Sequence, residues 1–216
     1  QAAYLHVCTN ETIHGVEMFD LPEVPVGVPL VADMSSHILS RPMDVSRYGL
    51  IYAGAQKNMG AAGVNLVVVN KNVLGKAERP IPTILDYRNH INEGSMLNTP
   101  PVFAIYVVLL TLRWLKAQGG VAAIEKRNEE KAALFYETLD SLPVFKGPVA
   151  KDSRSKMNAV FVMDQPDLEK EFLDLCKAAG MIGVKGHRSV GGFRVSMYNA
   201  LTIESVKVLT DLMKDF

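Results

Sequence analysis

A lysine stands at the exit of an apolar run in Leu50-Ile-Tyr-Ala-Gly-Ala-Gln-Lys57-Asn-Met-Gly-Ala-Ala-Gly63, just ahead of a glycine-rich turn. A lysine at the end of a buried strand is costly unless it is paired, neutral or covalently used. Lysine also forms imines with carbonyl cofactors, and burial lowers its pKa toward a nucleophilic amine. The plainer reading is a lysine that escapes to solvent from a loop. Asp33 lies 24 residues earlier, closing the run Pro-Leu-Val-Ala-Asp ahead of Met-Ser-Ser. That separation fits strand, connection and strand. Both side chains then sit at the carboxyl ends of strands in one sheet, where open α/β sheets bind ligands. A carboxylate against a pyridinium nitrogen and an imine-forming lysine are the two protein groups that pyridoxal phosphate (PLP) requires. Asp33 equally suits an N-cap on the segment that begins with Ser35 and Ser36.

Cradling a phosphate takes hydroxyls, amides and backbone N–H groups, and neither a G-x-G-x-x-G fingerprint nor a Walker A is present. Thr12, in Cys8-Thr-Asn-Glu-Thr-Ile-His-Gly15, is one candidate. Asn98-Thr99, ahead of Pro100-Pro101, is another, where a helix begins and anions are favoured. Turn and helix-cap roles are the simpler uses of both. In Gly186-His-Arg-Ser-Val-Gly-Gly-Phe-Arg194, alternation sets Phe193, Val195 and Met197 on one strand face and Arg194, Ser196 and Tyr198 on the other. The Arg194 fork suits bidentate carboxylate binding, or a surface salt bridge. His187 reads as a loop histidine by itself. His6, His14, His37 and His90 have no metal-ligand spacing. Cys8 and Cys176 form no C-x-x-C pair, so neither a disulfide framework nor a zinc site is indicated.

The elements that must position these groups are short apolar strands in the first half: Tyr4–Thr9, Leu30–Asp33, Leu50–Gly54 and Asn65–Asn70. Their lack of polar alternation predicts burial on both faces, as in a helix-covered α/β sheet. The last two are too close for a parallel crossover, so the expected sheet is mostly parallel with an antiparallel strand. Pro100-Pro101 opens a helix running to Gln118 and halted at Gly119-Gly120; a second helix spans Ala122 to Ser141. Its cluster Glu125, Lys126, Arg127, Glu129, Glu130 and Lys131 reads as a solvated face with i,i+4 pairing. Strand Asn158–Met163, helix Asp167–Ala179, strand Phe193–Met197 and helix Thr202–Asp215 follow. In the last, Thr202 is the N-cap and Ile203, Val206, Leu209 and Met213 share one face. A domain boundary is placed near Gly119, with residues 1–118 in one unit and a small α+β domain over 119–216.

The 216 residues suggest one or two domains. Hydrophobic residues at 48% and charged residues at 21% disfavour disorder and fibrous repeats. Lys+Arg (23) balance Asp+Glu (23), which argues against nucleic acid or a polybasic membrane surface as partner. No apolar run approaches the ~20 residues of a membrane span. A soluble, cytoplasmic α/β protein is expected. The chain opens on Gln1 instead of Met. Its true start is therefore expected to lie outside this sequence, and silence about targeting signals carries little weight.

Four strings, CTNETIHGVE, VADMSSHILSRPMDVSRYGLIYAGAQKNMGAAG, EGSMLNTPPVFAIY and KGHRSVGGFRVSMYNA, carry a specific resemblance. They resemble the phosphoserine aminotransferases, class-V, PLP-dependent transaminases of fold type I, and the likeness spans essentially the whole chain in order. It implies that Lys57 is the Schiff-base lysine and Asp33 the partner of the pyridine nitrogen. Thr12 then bonds near the cofactor's ring hydroxyl, and Gln56 its phosphate. Asn98 and Thr99 reach the phosphate from the neighbouring subunit of a homodimer whose active sites lie at the interface. His187 and Arg188 are assigned to the substrate's phosphate and Arg194 to its α-carboxylate. The implied reaction passes an amino group from glutamate to 3-phosphohydroxypyruvate, giving phosphoserine and 2-oxoglutarate in serine biosynthesis. A part in pyridoxine biosynthesis is a further role the resemblance allows.

The resemblance further implies that residues 1–118 are the later part of a PLP-binding large domain. A glycine-containing phosphate loop, an aromatic ring stacking on the pyridine and a substrate-binding arginine then fall outside the sequence. Rival readings are another fold-type I activity, such as serine–glyoxylate transamination or a desulfurase, and a non-catalytic truncated paralogue. Neither cysteine has an obvious nucleophilic setting, which disfavours the desulfurase.

Overall fold

The computed structural model describes residues 2–216. Leu5–Cys8 (β1) leads into a two-residue ladder of Asn10–Glu11 (β2) and Val16–Glu17 (β3), whose tight turn carries Thr12. Leu30–Asp33 (β4), Leu50–Gly54 (β5) and Asn65–Val69 (β6) complete a four-stranded sheet in the order β1-β4-β5-β6. β1, β4 and β5 run parallel and β6 antiparallel, as the short connection requires. Register aligns Cys8 with Asp33 and Asp33 with Tyr52, so one row of side chains crosses three strands, at the carboxyl ends of β1 and β4 and mid-strand in β5.

One face of this sheet buries Val7, Leu30, Ala32, Ile51 and Ala53 against Met34, Ile38 and Met59. Burial of Asn65–Asn70 on both faces is not observed: Leu66 is 39% and Val68 38% exposed. β6 is an edge strand, and the packing that covers Ile51 and Ala53 does not extend to it. Continuous apolar sequence specifies that a strand can be covered, not what covers it.

After a short helix, Tyr87–Asn92 (α1), Val102–Ala117 (α2) meets Gly120–Ser141 (α3) at a bend of 81°. No single helix among the described residues is long and apolar enough to cross a membrane. The charged cluster on α3 is not wholly solvated. Ile124, Asn128, Lys131, Phe135 and Thr138 recur at three- and four-residue steps and are buried along one stripe. Lys131, only 2% exposed, donates to the carbonyls of Met197 and Tyr198 at 2.9 Å each. Glu129 pairs outside its helix, with Lys156 at 2.8 Å, in place of an i,i+4 partner.

Phe145–Lys146 (β7), Asn158–Met163 (β8) and Phe193–Ser196 (β9) form an antiparallel sheet in that order. Glu169–Ala178 (α4) lies between the last two, and Ile203–Asp215 (α5) follows. A second core gathers Phe135, Phe145, Phe161, Phe172 and Phe193, largely edge-to-face, with Val206, Leu209 and Met213 of α5. Thr202 caps α5 by accepting from the Ser205 N–H at 3.3 Å. Ile203 stays 38% exposed, because the buried stripe starts at Val206 and runs through Leu209, Thr210 and Met213.

Candidate active site

β5 ends at Gly54 and the chain folds into a tight turn, with Met59 and Gly60 N–H both donating to Ala55 O. Gly60 has φ 154°, and a Cβ there would lie 3.1 Å from the Val108 backbone, so α2 packs directly on this turn. The turn presents Lys57, half-buried, whose Nζ donates to Thr12 Oγ1 at 2.7 Å. The Thr12 hydroxyl donates to Ser36 Oγ at 2.9 Å, and Ser36 donates to the Asn10 carbonyl at 2.8 Å. Asn10 Nδ2 donates to Ser36 Oγ and, at 3.0 Å, to Asn158 Oδ1. Asn158 Nδ2 in turn reaches the Tyr198 hydroxyl at 3.1 Å. One hydrogen-bonded path therefore joins Lys57 to β8 and to the exit of β9.

Burial lowers the Lys57 pKa, with the Arg194 charge acting in the same direction and the Asp33 and Cys8 charges opposing it. A partly desolvated amine facing one guanidinium and one carboxylate is thus held nearer neutrality than a surface lysine. Asp33 serves as the turn cap that the Ser35-Ser36 sequel suggested, its Oδ1 accepting from the Ser35 N–H at 2.8 Å. It stands at the end of β4 all the same, and its charge acts on Lys57. Arg194 is half-buried on β9, and its Nε is buried without a hydrogen-bond partner.

The other sequence-predicted residues lie apart from this cluster. Gln56 is exposed, folded back over Gly54. Asn98 and Thr99 are exposed ahead of α2, where Asn98 Nδ2 bonds only the Thr99 carbonyl at 3.1 Å. His187 and Arg188 ride the loop before β9, with His187 Nδ1 against Ser189 Oγ at 2.7 Å. That loop closes tightly: a Cβ on Gly186 would meet the Gly191 carbonyl oxygen at 2.0 Å. Sequence reasoning missed Asn10, Ser36 and Asn158, whose partners lie far along the chain. Tyr198 did carry a signal, sharing a strand face with Arg194. Cys8 projects beside Asp33, and its thiol is pushed up by burial and by the Asp33 and Glu11 charges, so it is no activated thiolate.

The aminotransferase class-V family matches residues 1–209. The phosphoserine aminotransferase of Aromatoleum aromaticum is 55% identical over 217 residues, covering 100% of this chain and 59% of that protein. The phosphoserine aminotransferase of Flavobacterium johnsoniae is 54% identical over 213 residues, covering 99% and 59%. Among solved structures, the phosphoserine aminotransferase from Bacillus circulans subsp. alkalophilus superposes with a TM-score of 0.95 at 44% identity, over 99% of this chain and 59% of that one. A PLP-bound phosphoserine aminotransferase from Trichomonas vaginalis gives 0.93 at 41% identity, over 99% and 60%. The chain spans about 59% of the length of the curated relatives it matches. With nearly every residue inside the family match and a backbone that superposes this closely, the chain belongs to the class-V aminotransferases and has their fold-type I architecture.

Proposed function

We propose that this chain provides the lysine-bearing part of a PLP-dependent transaminase that moves the amino group of glutamate to 3-phosphohydroxypyruvate, yielding O-phosphoserine and 2-oxoglutarate. One observation carries the reading: a half-buried Lys57 amine at the exit of β5, held by Thr12 at 2.7 Å, with a pKa lowered by burial and acted on by the Asp33 and Arg194 charges. The donor set suits PLP. Lys57 would hold its aldehyde carbon, Asp33 its ring nitrogen and Thr12 the region of its ring hydroxyl. Gln56 would bond its phosphate, and so would Asn98 and Thr99 of a neighbouring subunit in a homodimer. When bound, PLP supplies an electron sink for the carbanion formed at the substrate's Cα.

The remaining chemistry belongs to this chain's residues. Arg194, with an unpartnered Nε, takes the substrate α-carboxylate in a forked pair and so fixes Cα. His187 and Arg188 offer cationic donors to the substrate's phosphate. Lys57 Nζ, its pKa lowered by burial against the opposing Asp33 charge, would take the Cα proton as general base and deliver it to the carbon that had been the cofactor's aldehyde carbon. Thr12 holds that amine on a fixed bearing. Residues 1–118 would then belong to a cofactor-binding domain and 119–216 to a smaller one that brings Arg194. The raised Cys8 thiol pKa speaks against a desulfurase.

The test is borohydride reduction of the PLP-loaded, full-length protein, followed by peptide mapping. The expected label is on Lys57, and Lys57→Ala abolishes both label and turnover while the circular dichroism spectrum is kept. A label on another lysine, or an unchanged turnover number in that variant, would sink the assignment.

A further inference from the structure

Three successive carbonyls, at the end of the turn that follows Asp33, are each taken by an asparagine from a different part of the chain. Ile38 O accepts from Asn58 Nδ2 at 3.1 Å, Leu39 O from Asn199 Nδ2 at 2.9 Å and Ser40 O from Asn128 Nδ2 at 3.0 Å. Asn58 follows Lys57 directly, Asn199 lies just past β9 and Asn128 is on α3. The asparagines also bond to one another. Asn58 Oδ1 accepts from the Asn199 N–H at 3.1 Å, and Asn199 Oδ1 from Asn128 Nδ2 at 3.0 Å. One turn further along α3, Lys131 Nζ holds the Met197 and Tyr198 carbonyls. All four side chains are buried.

Polar groups buried this deeply are costly unless bonded, and such networks impose one arrangement on the elements they join. Leu39, at the middle of the three carbonyls, has φ 62°. That left-handed backbone is strained for leucine and persists only where its surroundings over-determine it. The belt supplies that constraint, and it ties the Lys57 turn to the strand of Arg194 by the bond between Asn58 and Asn199.

We propose that Asn58, Asn128, Asn199 and Lys131 are positioning residues that fix the Lys57 amine relative to Arg194. The coupling follows from the hydrogen bonds; what the two groups then do rests on the transaminase reading above. A carboxylate held by Arg194 defines where Cα lies, so a shift of the Lys57 turn moves the amine off the proton it must take. Displacements of about 1 Å can cost as much as ~100-fold in rate.

The experiment compares full-length Asn58→Ala and Asn128→Ala with a control, Thr138→Ala. Thr138 is buried on the same helix, but its hydroxyl donates within that helix, to the Leu134 carbonyl at 2.9 Å. In the cofactor-free proteins, lysines are dimethylated with ¹³C and the Lys57 resonance is titrated. In the loaded proteins, kcat and KM for glutamate are measured. Both belt variants should raise the Lys57 midpoint toward that of an ordinary lysine and lower kcat about tenfold, with KM moving less than about threefold. Thr138→Ala should move none of these. If Asn58→Ala fails to fold, Asn128→Ala carries the test from a site farther from Lys57. A folded belt variant with an unmoved Lys57 midpoint and unchanged kcat overturns the positioning role, as does an equal response from Thr138→Ala. Should Lys57→Ala retain turnover, the transaminase reading fails on its own, and the cofactor-free titration alone decides for or against the belt.

Discussion

Lys57 is set by charges that can be removed one at a time. Burial lowers its pKa, Arg194 adds to the lowering and Asp33 opposes it. Asp33→Asn should therefore lower the Lys57 pKa further, whereas Arg194→Met should raise it. Titrating the ¹³C-dimethylated Lys57 in the cofactor-free protein reads both, and midpoints that move together would show that hydration, not these charges, controls the amine. The spacing of Asp33 and Lys57 made their neighbouring strand ends legible, because a strand–connection–strand unit of that length leaves few alternatives. Period-two alternation likewise put Tyr198 on the Arg194 face. Asn10 and Asn158 were not legible: they meet across 148 positions, and no local pattern marks an asparagine for burial. Asp33 suits both a cap and a site residue in sequence, and the structure has one carboxylate cap its turn while its charge acts on Lys57.

Among the elements, α3 is where sequence and structure part most. A row of charges reads as a solvated face, yet the helix turns Asn128 and Lys131 inward along the same stripe as Ile124 and Phe135. Composition alone cannot say which of several charged residues shares an azimuth with the apolar ones; the 100° step per residue decides it. The consequence is measurable as a pH dependence of stability. Burial brings the Lys131 pKa from an ordinary 10.5 down to about 8. Between those values the unfolded chain holds the proton and the folded chain does not, so folding releases a proton and stability rises with pH. Lys131→Met lacks that linkage. Chemical denaturation at closely spaced pH values should show the parent protein gaining on Lys131→Met from about pH 8 to about 10.5. A constant difference between the two across that window would mean that Lys131 keeps its charge in the folded state, held by the Met197 and Tyr198 carbonyls.

For the molecule as a whole, a zero net charge sums over the chain and is silent about the local cations at Lys57 and Arg194. Hydropathy is equally silent about which apolar faces find cover. On α2, Val102 is 69%, Phe103 77% and Tyr106 53% exposed, a contiguous apolar flank of a kind that marks contact with another surface. Asn98 and Thr99 lie immediately before this helix, remote in contacts from the Lys57 cluster of their own chain. In the proposed homodimer both facts have one cause: α2 packs on a second copy, and the loop before it then reaches the partner's cofactor phosphate. Phe103→Glu places a charge on that flank, which is costly to desolvate in an apolar interface. In full-length protein, this variant should sediment as a monomer where the parent sediments as a dimer. Its affinity for PLP, followed by absorbance, should fall with the lost subunit, although Phe103 itself is 77% exposed. Asn98→Ala should weaken PLP binding while leaving the dimer intact, since it removes a phosphate donor and not the apolar contact. A monomeric parent, or a Phe103→Glu dimer with undiminished PLP affinity, would separate the α2 flank from the active site and leave Asn98 and Thr99 with only their turn to explain them.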